Sequence, residues 1–196
     1  MRAGLDTRDE ILAVARAVAQ AHGYNGLSFR ELAKAVGVKS ASIHYYFPTK
    51  GDLGAALARR YREEAMQQLD GYLAEHPDPA SCLARYTDAF HMALARDNRM
   101  CLCGIMAAEH DDLPEAVKVE VTRFADDNVA WLSKVLSLLD PSRPVEAVKQ
   151  HAFAIYAAVG GAQLTARGRG SISMYDSIIE AYRLNGLIPT KLVSPK

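Results

Sequence analysis

Apolar positions recur three and four residues apart along most of the chain, and no stretch alternates as a half-buried strand does. The first such pattern places Ile11, Val14, Ala15 and Val18 on one face. Thr7-Arg8-Asp9-Glu10 ahead of it reads as a capping box, whose hydroxyl and carboxylate satisfy free backbone N–H groups, and Gly23 ends the helix. Ser28-Phe29-Arg30-Glu31 reads as a second capping box, opening a short helix that stops at Gly37. A third short helix is predicted over Lys39–Phe47, with Pro48 as its stop, and a long fourth one starts around Thr49–Asp52 and runs to the break His76-Pro77-Asp78-Pro79. Five more are predicted over Pro79–Ala95, Met100–His110, Glu115–Leu139, Val145–Arg167 and Ser173–Leu184, with Pro141–Pro144, Gly168–Gly170 and Asn185-Gly186 as punctuation. The expectation is an all-α fold of about nine helices, with no internal repeat.

The two short helices around Gly37-Val38 are the informative feature. Two helices of about two turns each, joined by a tight glycine-containing turn, form a helix-turn-helix. Leu32, Ala33, Val36, Val38, Ile43 and Phe47 are the residues expected to bury its inner faces. Lys39, Ser40, Ser42, His44, Tyr45 and Tyr46 are left facing outward. Short hydroxyls, an imidazole and phenols suit close approach to base edges and phosphates. The alternative for Tyr45 and Tyr46 is packing inside the head.

The stretch Leu27-Ser28-Phe29-Arg30-Glu31-Leu32-Ala33-Lys34-Ala35-Val36-Gly37-Val38 resembles the first half of the TetR-family signature. Ser40-Ala41-Ser42-Ile43-His44-Tyr45-Tyr46-Phe47-Pro48-Thr49-Lys50-Gly51-Asp52-Leu53 is similar to its second half, with His44 where the family usually carries Tyr. The resemblance covers residues 7–55 and extends to the rest of the chain only in helix count and length. It implies a three-helix DNA-binding head over residues 1–52 and a helical ligand-binding and dimerisation bundle over 53–196. It also implies roles for single residues. Ser28 caps the second helix and donates to a phosphate, Arg30 reaches a phosphate or base edge, and Lys39, Ser40 and Ser42 enter the major groove. His44, Tyr45 and Tyr46 pack on the sugar-phosphate wall, and Lys50 meets a phosphate together with the N-terminus of its helix.

In the family the bundle takes a small ligand between its central helices and dimerises through its last two, which implies a palindromic operator with half-sites about one DNA turn (~34–36 Å) apart. The predicted helix 145–167 is rich in Ala152, Ala154, Ala157, Ala158, Gly160, Gly161, Ala162 and Ala166, which suits close helix approach across a dimer; ordinary core packing is the alternative. Helix 173–184 offers Met174, Ile178 and Tyr182 as partners. Candidates for the ligand chamber are Tyr86, Phe90, Met106, Phe124, Trp131 and Tyr156, any of which alone can be plain core. Their apolar character points to an organic ligand rather than a metal.

Cys101-Leu102-Cys103-Gly104 sits at a predicted helix start beside Arg99, where the helix N-terminus and a cation lower a thiol pKa. A similar Cys-Leu-x-Gly segment occurs in some TetR-like regulators, where such a cysteine senses electrophiles or oxidants. The resemblance thus makes Cys101 a candidate sensor and Cys103 its neighbour in the chamber; the alternative is a pair of small buried hydrophobes. His91, His110 and His151 are scattered, none stands at a ligand spacing to Cys101 or Cys103, and no metal or cofactor is expected.

Composition changes this picture little. Of 196 residues, 49% are hydrophobic and 23% charged, with formal net charge zero. Residues 1–60 carry nine Lys/Arg against five acids, a balance of +4, which fits a local polyanion contact. Three cysteines without a disulfide pattern, no apolar run of the ~18 residues a membrane span needs, and a polar start together point to a cytoplasmic protein. The expected function is a repressor released from its operator by a small organic ligand or reactive electrophile. The competing readings are a helical enzyme with Cys101 or Cys103 as nucleophile, against which stands the lack of a phosphate loop or His-Glu-x-x-His, and a purely structural dimer with a vestigial head.

Overall fold

The structure, a computed structural model, describes residues 7–75 and 78–190; His76 and Pro77, which the sequence places in a helix break, lie outside the described residues. Among the described residues there are nine α-helices, one 3-10 turn and no strand. They are α1 (Thr7–His22), α2 (Phe29–Val36), α3 (Ser40–Tyr46), α4 (Lys50–Glu75), α5 (Pro79–Ala95), α6 (Leu102–Ala108), the turn His110–Asp112, α7 (Glu115–Leu139), α8 (Val145–Arg169) and α9 (Ile172–Leu184). The all-α fold expected from apolar spacing is the fold observed. No described helix is long and apolar enough to cross a membrane.

The chain divides into two compact units, each discontinuous in sequence. The first comprises the described residues of Met1–Glu63 with Cys101–Phe124, and the second those of Glu64–Met100 with Ala125–Lys196. Helices α4 and α7 therefore contribute to both.

In the first unit α1 buries Ile11, Leu12, Ala15 and Ala19, with Val14 and Val18 at the margin of that face. They meet Leu32, Ala33, Ile43, Phe47, Leu53, Leu57 and Ala58 from α2, α3, the α3–α4 connection and α4, all buried. Gly54 on α4 admits the Tyr24 ring, because a Cβ there would lie 2.6 Å from Tyr24 Cε2. Helix α6 is shorter than the apolar pattern predicts. Asp97 and Asn98 take left-handed φ of 58° and 55° ahead of it, Cys101 becomes its N-cap, and its last predicted residue falls in the 3-10 turn.

In the second unit α5, α8 and α9 bury Leu83, Tyr86, Leu94, Val148, Ile155, Val159, Tyr175 and Ile179. Polar side chains bind these helices where apolar ones cannot. Gln163 Nε2 donates to Phe90 O at 3.0 Å, Tyr175 Oη to Thr87 O at 2.7 Å, and Arg183 to Thr87 Oγ1 at 3.1 Å. Buried donors that reach main-chain carbonyls this way fix register as well as contact.

Caps account for several helix starts, though not all those read from sequence. Ser28 is the N-cap of α2, yet its side chain makes no capping bond, and Glu31 pairs with Arg30 instead. The reciprocal box forms at α4: Thr49 Oγ1 accepts from Asp52 N at 3.1 Å, and Asp52 Oδ2 accepts from Thr49 N at 3.0 Å and Thr49 Oγ1 at 2.7 Å. Asp78 caps α5 through Ala80 N and Ser81 N.

Candidate functional site

Helices α2 and α3 are eight and seven residues long, and the chain turns between them at Gly37. Gly37 has φ 81° and ψ 28°, a conformation that costs a residue with a Cβ on the order of 1 kcal/mol. Its N–H and that of Val38 both donate to Ala33 O, closing α2 and redirecting the chain at once. Leu32, Ala33, Ile43 and Phe47 face inward and are buried, while Val36 and Val38 are half-buried. Lys39, Ser40 and His44 are exposed, Ser42 and Tyr46 half-buried, and Tyr45 is 81% exposed. A large phenol left this far in water on a two-turn helix contributes little to packing in the head, and its ring meets the edge of Tyr46, with centroids 5.1 Å apart.

The remaining residues of the face are held to differing degrees. His44 packs edge-on against Phe29, centroids 4.7 Å apart, and its Nδ1 lies 3.4 Å from Pro48 O. Arg30 projects with 91% of its side chain exposed, touching only Glu31. Ser28 is exposed at the start of α2. Lys50 is not free in solvent: Nζ donates to Asn25 O at 3.2 Å and lies 4.7 Å over the Tyr24 ring. It occupies the first residue of α4, where helix-terminal N–H groups favour an anion.

The candidate ligand residues fall into two groups. In the second unit Tyr86, Phe90 and Trp131 are buried together, Tyr86 lying 5.3 Å from Phe90 and stacked on Trp131 at 5.8 Å with 19° between planes. Trp131 Nε1 is buried and has no acceptor among the described residues. Tyr156 is half-buried on α8. In the first unit Cys101, Cys103, Met106 and Phe124 are all buried, with Phe124 packed 5.5 Å from Tyr61.

The lowered thiol pKa expected at Cys101 is not what the surroundings produce. Burial pushes it up, more than the opposing pull of the Tyr61 hydroxyl, the Gly104 and Cys103 N–H groups and Arg16 brings it down. Burial pushes Cys103 well above its ordinary value, and the Cys101 and Glu120 charges add to this against Arg62. The nearby cation is Arg16, whose guanidinium lies 4.7 Å over the Tyr61 ring, and Arg99 pairs with Asp97 instead. Less thiolate at neutral pH means slower alkylation. Iodoacetamide should modify Cys101 and Cys103 more slowly than free cysteine at pH 7. The rate should still be rising above the ordinary thiol pKa of ~8.5, as mass spectrometry of quenched samples would show. A rate at pH 7 equal to that of free cysteine would contradict this environment.

The small residues of α8 divide between two sides. Ala152, Ala162 and Ala166 are buried in the second unit, which is the core-packing alternative for those three. Phe153, Ala154, Ala157, Gly161, Leu164 and Gly168 are exposed, and a Cβ at Gly160 or Gly161 would meet nothing within 4 Å.

Two features were not picked out from sequence. Glu120 on α7 is buried and accepts from Arg59 at 3.0 Å and Arg123 at 3.1 Å, while Arg62 Nε lies 3.4 Å from its other oxygen as an ion-pair partner outside hydrogen-bond geometry. Glu109 receives backbone N–H groups of the α1–α2 turn. Neither has a local signal, because every partner but Arg123 is more than fifty residues away.

Residues 11–57 match the family described as bacterial regulatory proteins, tetR family. Over 134 residues, covering 67% of each chain, the sequence is 28% identical to the HTH-type transcriptional repressor NemR of Escherichia coli K12. The solved reduced form of E. coli NemR is 25% identical with TM-score 0.79, covering 96% of this chain and 100% of that one. A TetR-family transcriptional regulator from Agrobacterium tumefaciens is 31% identical with TM-score 0.83, covering 89% of this chain and 94% of that one. A TetR transcriptional regulator from Legionella pneumophila is 28% identical with TM-score 0.87, covering 95% and 100%.

Proposed function

Because the chain belongs to the TetR family of bacterial transcriptional regulators, we propose that it is a repressor whose head, residues 1–52, binds a palindromic operator as half of a homodimer, and which a small organic ligand or reactive electrophile releases. Its relatives are regulators and not enzymes, so Cys101 and Cys103 are not read as catalytic nucleophiles. The observation that carries the reading is the face of α3: a buried underside, and above it exposed Lys39, Ser40, His44 and Tyr45 with Arg30 projecting beside them. Lys39, Ser40 and Ser42 serve base edges. Ser28, Arg30, His44, Tyr45, Tyr46 and Lys50 serve the backbone.

The dimer forms through α8 and α9. Phe153, Ala157, Gly161, Leu164 and Gly168 make one exposed stripe at helical spacing, and Met174, Ile178 and Tyr182 on α9 are half-buried. The effector is taken up by residues 53–196. One site of action is the aromatic group Tyr86–Phe90–Trp131, whose buried indole N–H offers a hydrogen bond to a ligand acceptor. The other is Cys101, hydrogen-bonded to Tyr61 on α4, where addition of an electrophile, slow because the thiol is buried, would break that contact. Helix α4 begins at Lys50 and carries the change to the head, provided the effector binds the two arrangements unequally. The cell compartment consistent with this role is the cytoplasm.

The test is a fluorescence-anisotropy titration of DNA carrying the promoter of the protein's own gene, repeated across salt concentration. Affinity should fall steeply and linearly in log salt, as phosphate contacts require. Leu164→Glu, which places a charge on the exposed stripe, should convert dimer to monomer in sedimentation. It should also weaken operator binding by about tenfold or more, since two heads that are no longer linked do not bind as one unit. Absent or salt-insensitive binding overturns the operator reading, and an intact dimer in Leu164→Glu overturns the α8 interface.

A further inference from the structure

We infer that Glu109, an acidic residue outside the DNA-contacting face, is a positioning residue for operator binding: its carboxylate clasps the α1–α2 turn and thereby presets Lys50. The inference rests on the reading of Lys50 and α3 as the operator-contacting face.

Helix α1 ends at Gly23, whose φ of 75° turns the chain left-handed, and the Gly23 N–H is spent on Ala19 O. The next two N–H groups, of Tyr24 and Asn25, lie in neither helix. Successive N–H groups after a left-handed residue form a small concave donor pair that suits an anion. Glu109, the C-cap residue of α6, fills it: Oε2 lies 2.5 Å from Tyr24 N and Oε1 3.3 Å from Asn25 N. The bonds are charge-assisted and span both oxygens, so the carboxylate fixes the direction of the turn as well as its place. A Cβ at position 23 would fall on this carboxylate, so glycine there serves the clasp as well as the turn. Asp112 adds a second tie, accepting from Asn25 Nδ2 at 3.0 Å.

The far side of the same turn holds Lys50. Asn25 O accepts from its ammonium, and the Tyr24 ring lies beneath it. That ring is itself buried against Gly54 on the second turn of α4. One short turn thus has Glu109 on its donors and Lys50 on its acceptor. With the carboxylate removed, both N–H groups lose their partner and nothing else in this set holds Asn25 O in place for Lys50. A lysine that must be ordered on binding contributes less than one already in position.

The sign of the effect makes the inference testable. Removing a negative charge from a protein that binds DNA strengthens binding if the charge acts only through its field. The clasp predicts the reverse. Glu109→Ala should weaken operator binding about tenfold, and Glu109→Gln, which keeps one acceptor oxygen, should recover part of that loss. In a Lys50→Ala background the further loss from Glu109→Ala should vanish, since residues that act through one another are not additive. In Glu109→Gln, amide exchange at Tyr24 and Asn25 should quicken while α3 amides keep their protection. Unchanged or tighter binding by Glu109→Gln overturns the inference, and so does a full Glu109→Ala loss on top of Lys50→Ala. If Glu109→Ala does not fold, the Glu109→Gln titration and exchange rates decide alone. Failure of the wild-type protein to bind DNA would instead overturn the operator reading, while faster exchange in Glu109→Gln would still report the clasp.

Discussion

Replacing Tyr45 with alanine is expected to lower operator affinity about 30- to 1000-fold and leave the thermal midpoint within about a degree of wild type. The phenol is 81% exposed and meets the edge of Tyr46, so the folded head loses little buried area. On DNA the same ring is proposed to meet the sugar-phosphate wall beside the major groove. A hydrogen bond from its hydroxyl to a charged phosphate contributes on the order of 1–2 kcal/mol. The homodimer forfeits it twice, so the penalty is about 2–4 kcal/mol, and each 1.4 kcal/mol is about tenfold in affinity. Paired anisotropy titrations and melting curves check both halves of the expectation. A change below about threefold would place Tyr45 outside the interface. Tyr46 is a poorer probe, because it is half-buried and its truncation mixes folding with binding.

The second large effect is on stability. Glu120→Ala should destabilise the protein by about 2–4 kcal/mol, because removing one partner of a buried ion cluster leaves the others uncompensated. The Glu120 side chain is 2% exposed and serves three guanidinium groups at once. Arg59 and Arg123 are more than half exposed and return to water when it goes, which places the cost at the lower part of the range for fully buried pairs. Arg62, with 21% of its side chain exposed, is the least solvated of the three and loses the most when the carboxylate goes. For a chain of this size the midpoint should drop by about 5–15 °C. Arg123→Ala, at the exposed edge of the cluster, should cost less than about 1 kcal/mol. Thermal unfolding of both variants checks the contrast, and equal effects would mean that the cluster does not act through its buried carboxylate.

The sequence displayed most of the helices and most of the outward set of α3, because both are written in short-range signals. Gly23, Gly37 and Pro48 stop helices through their own backbone chemistry, and the apolar period of α2 and α3 turns Leu32 and Ile43 inward wherever the head packs. Where a reading depended on competition between neighbours it was less reliable. Ser28 and Thr49 both head a box-like tetrapeptide, yet only Thr49 and Asp52 close one, because Glu31 is drawn to Arg30. The low thiol pKa expected at Cys101 failed for a related reason, while the alternative of small buried hydrophobes agrees with the burial of both cysteines. A helix start and a cation are visible in sequence, but the burial that outweighs them comes from the packing of α6 in the first unit. Glu109 and Glu120 were illegible altogether, since an acidic residue amid helical spacing looks like solvated surface until its distant partners are seen.

The discontinuity of the first unit bears on how such a regulator can be recombined. Every residue of the proposed DNA-contacting face lies before Asp52, which suggests that a new specificity could be installed by exchanging the N-terminus alone. The turn between α1 and α2, however, closes on Glu109 and Asp112, and Arg59 and Arg62 close on Glu120. A head grafted from another protein would arrive without the Asn25, Arg59 and Arg62 side chains and with a different turn against Glu109, leaving Glu120 to Arg123. The exchangeable part is therefore two segments, residues 1–63 and 101–124, which have to travel together.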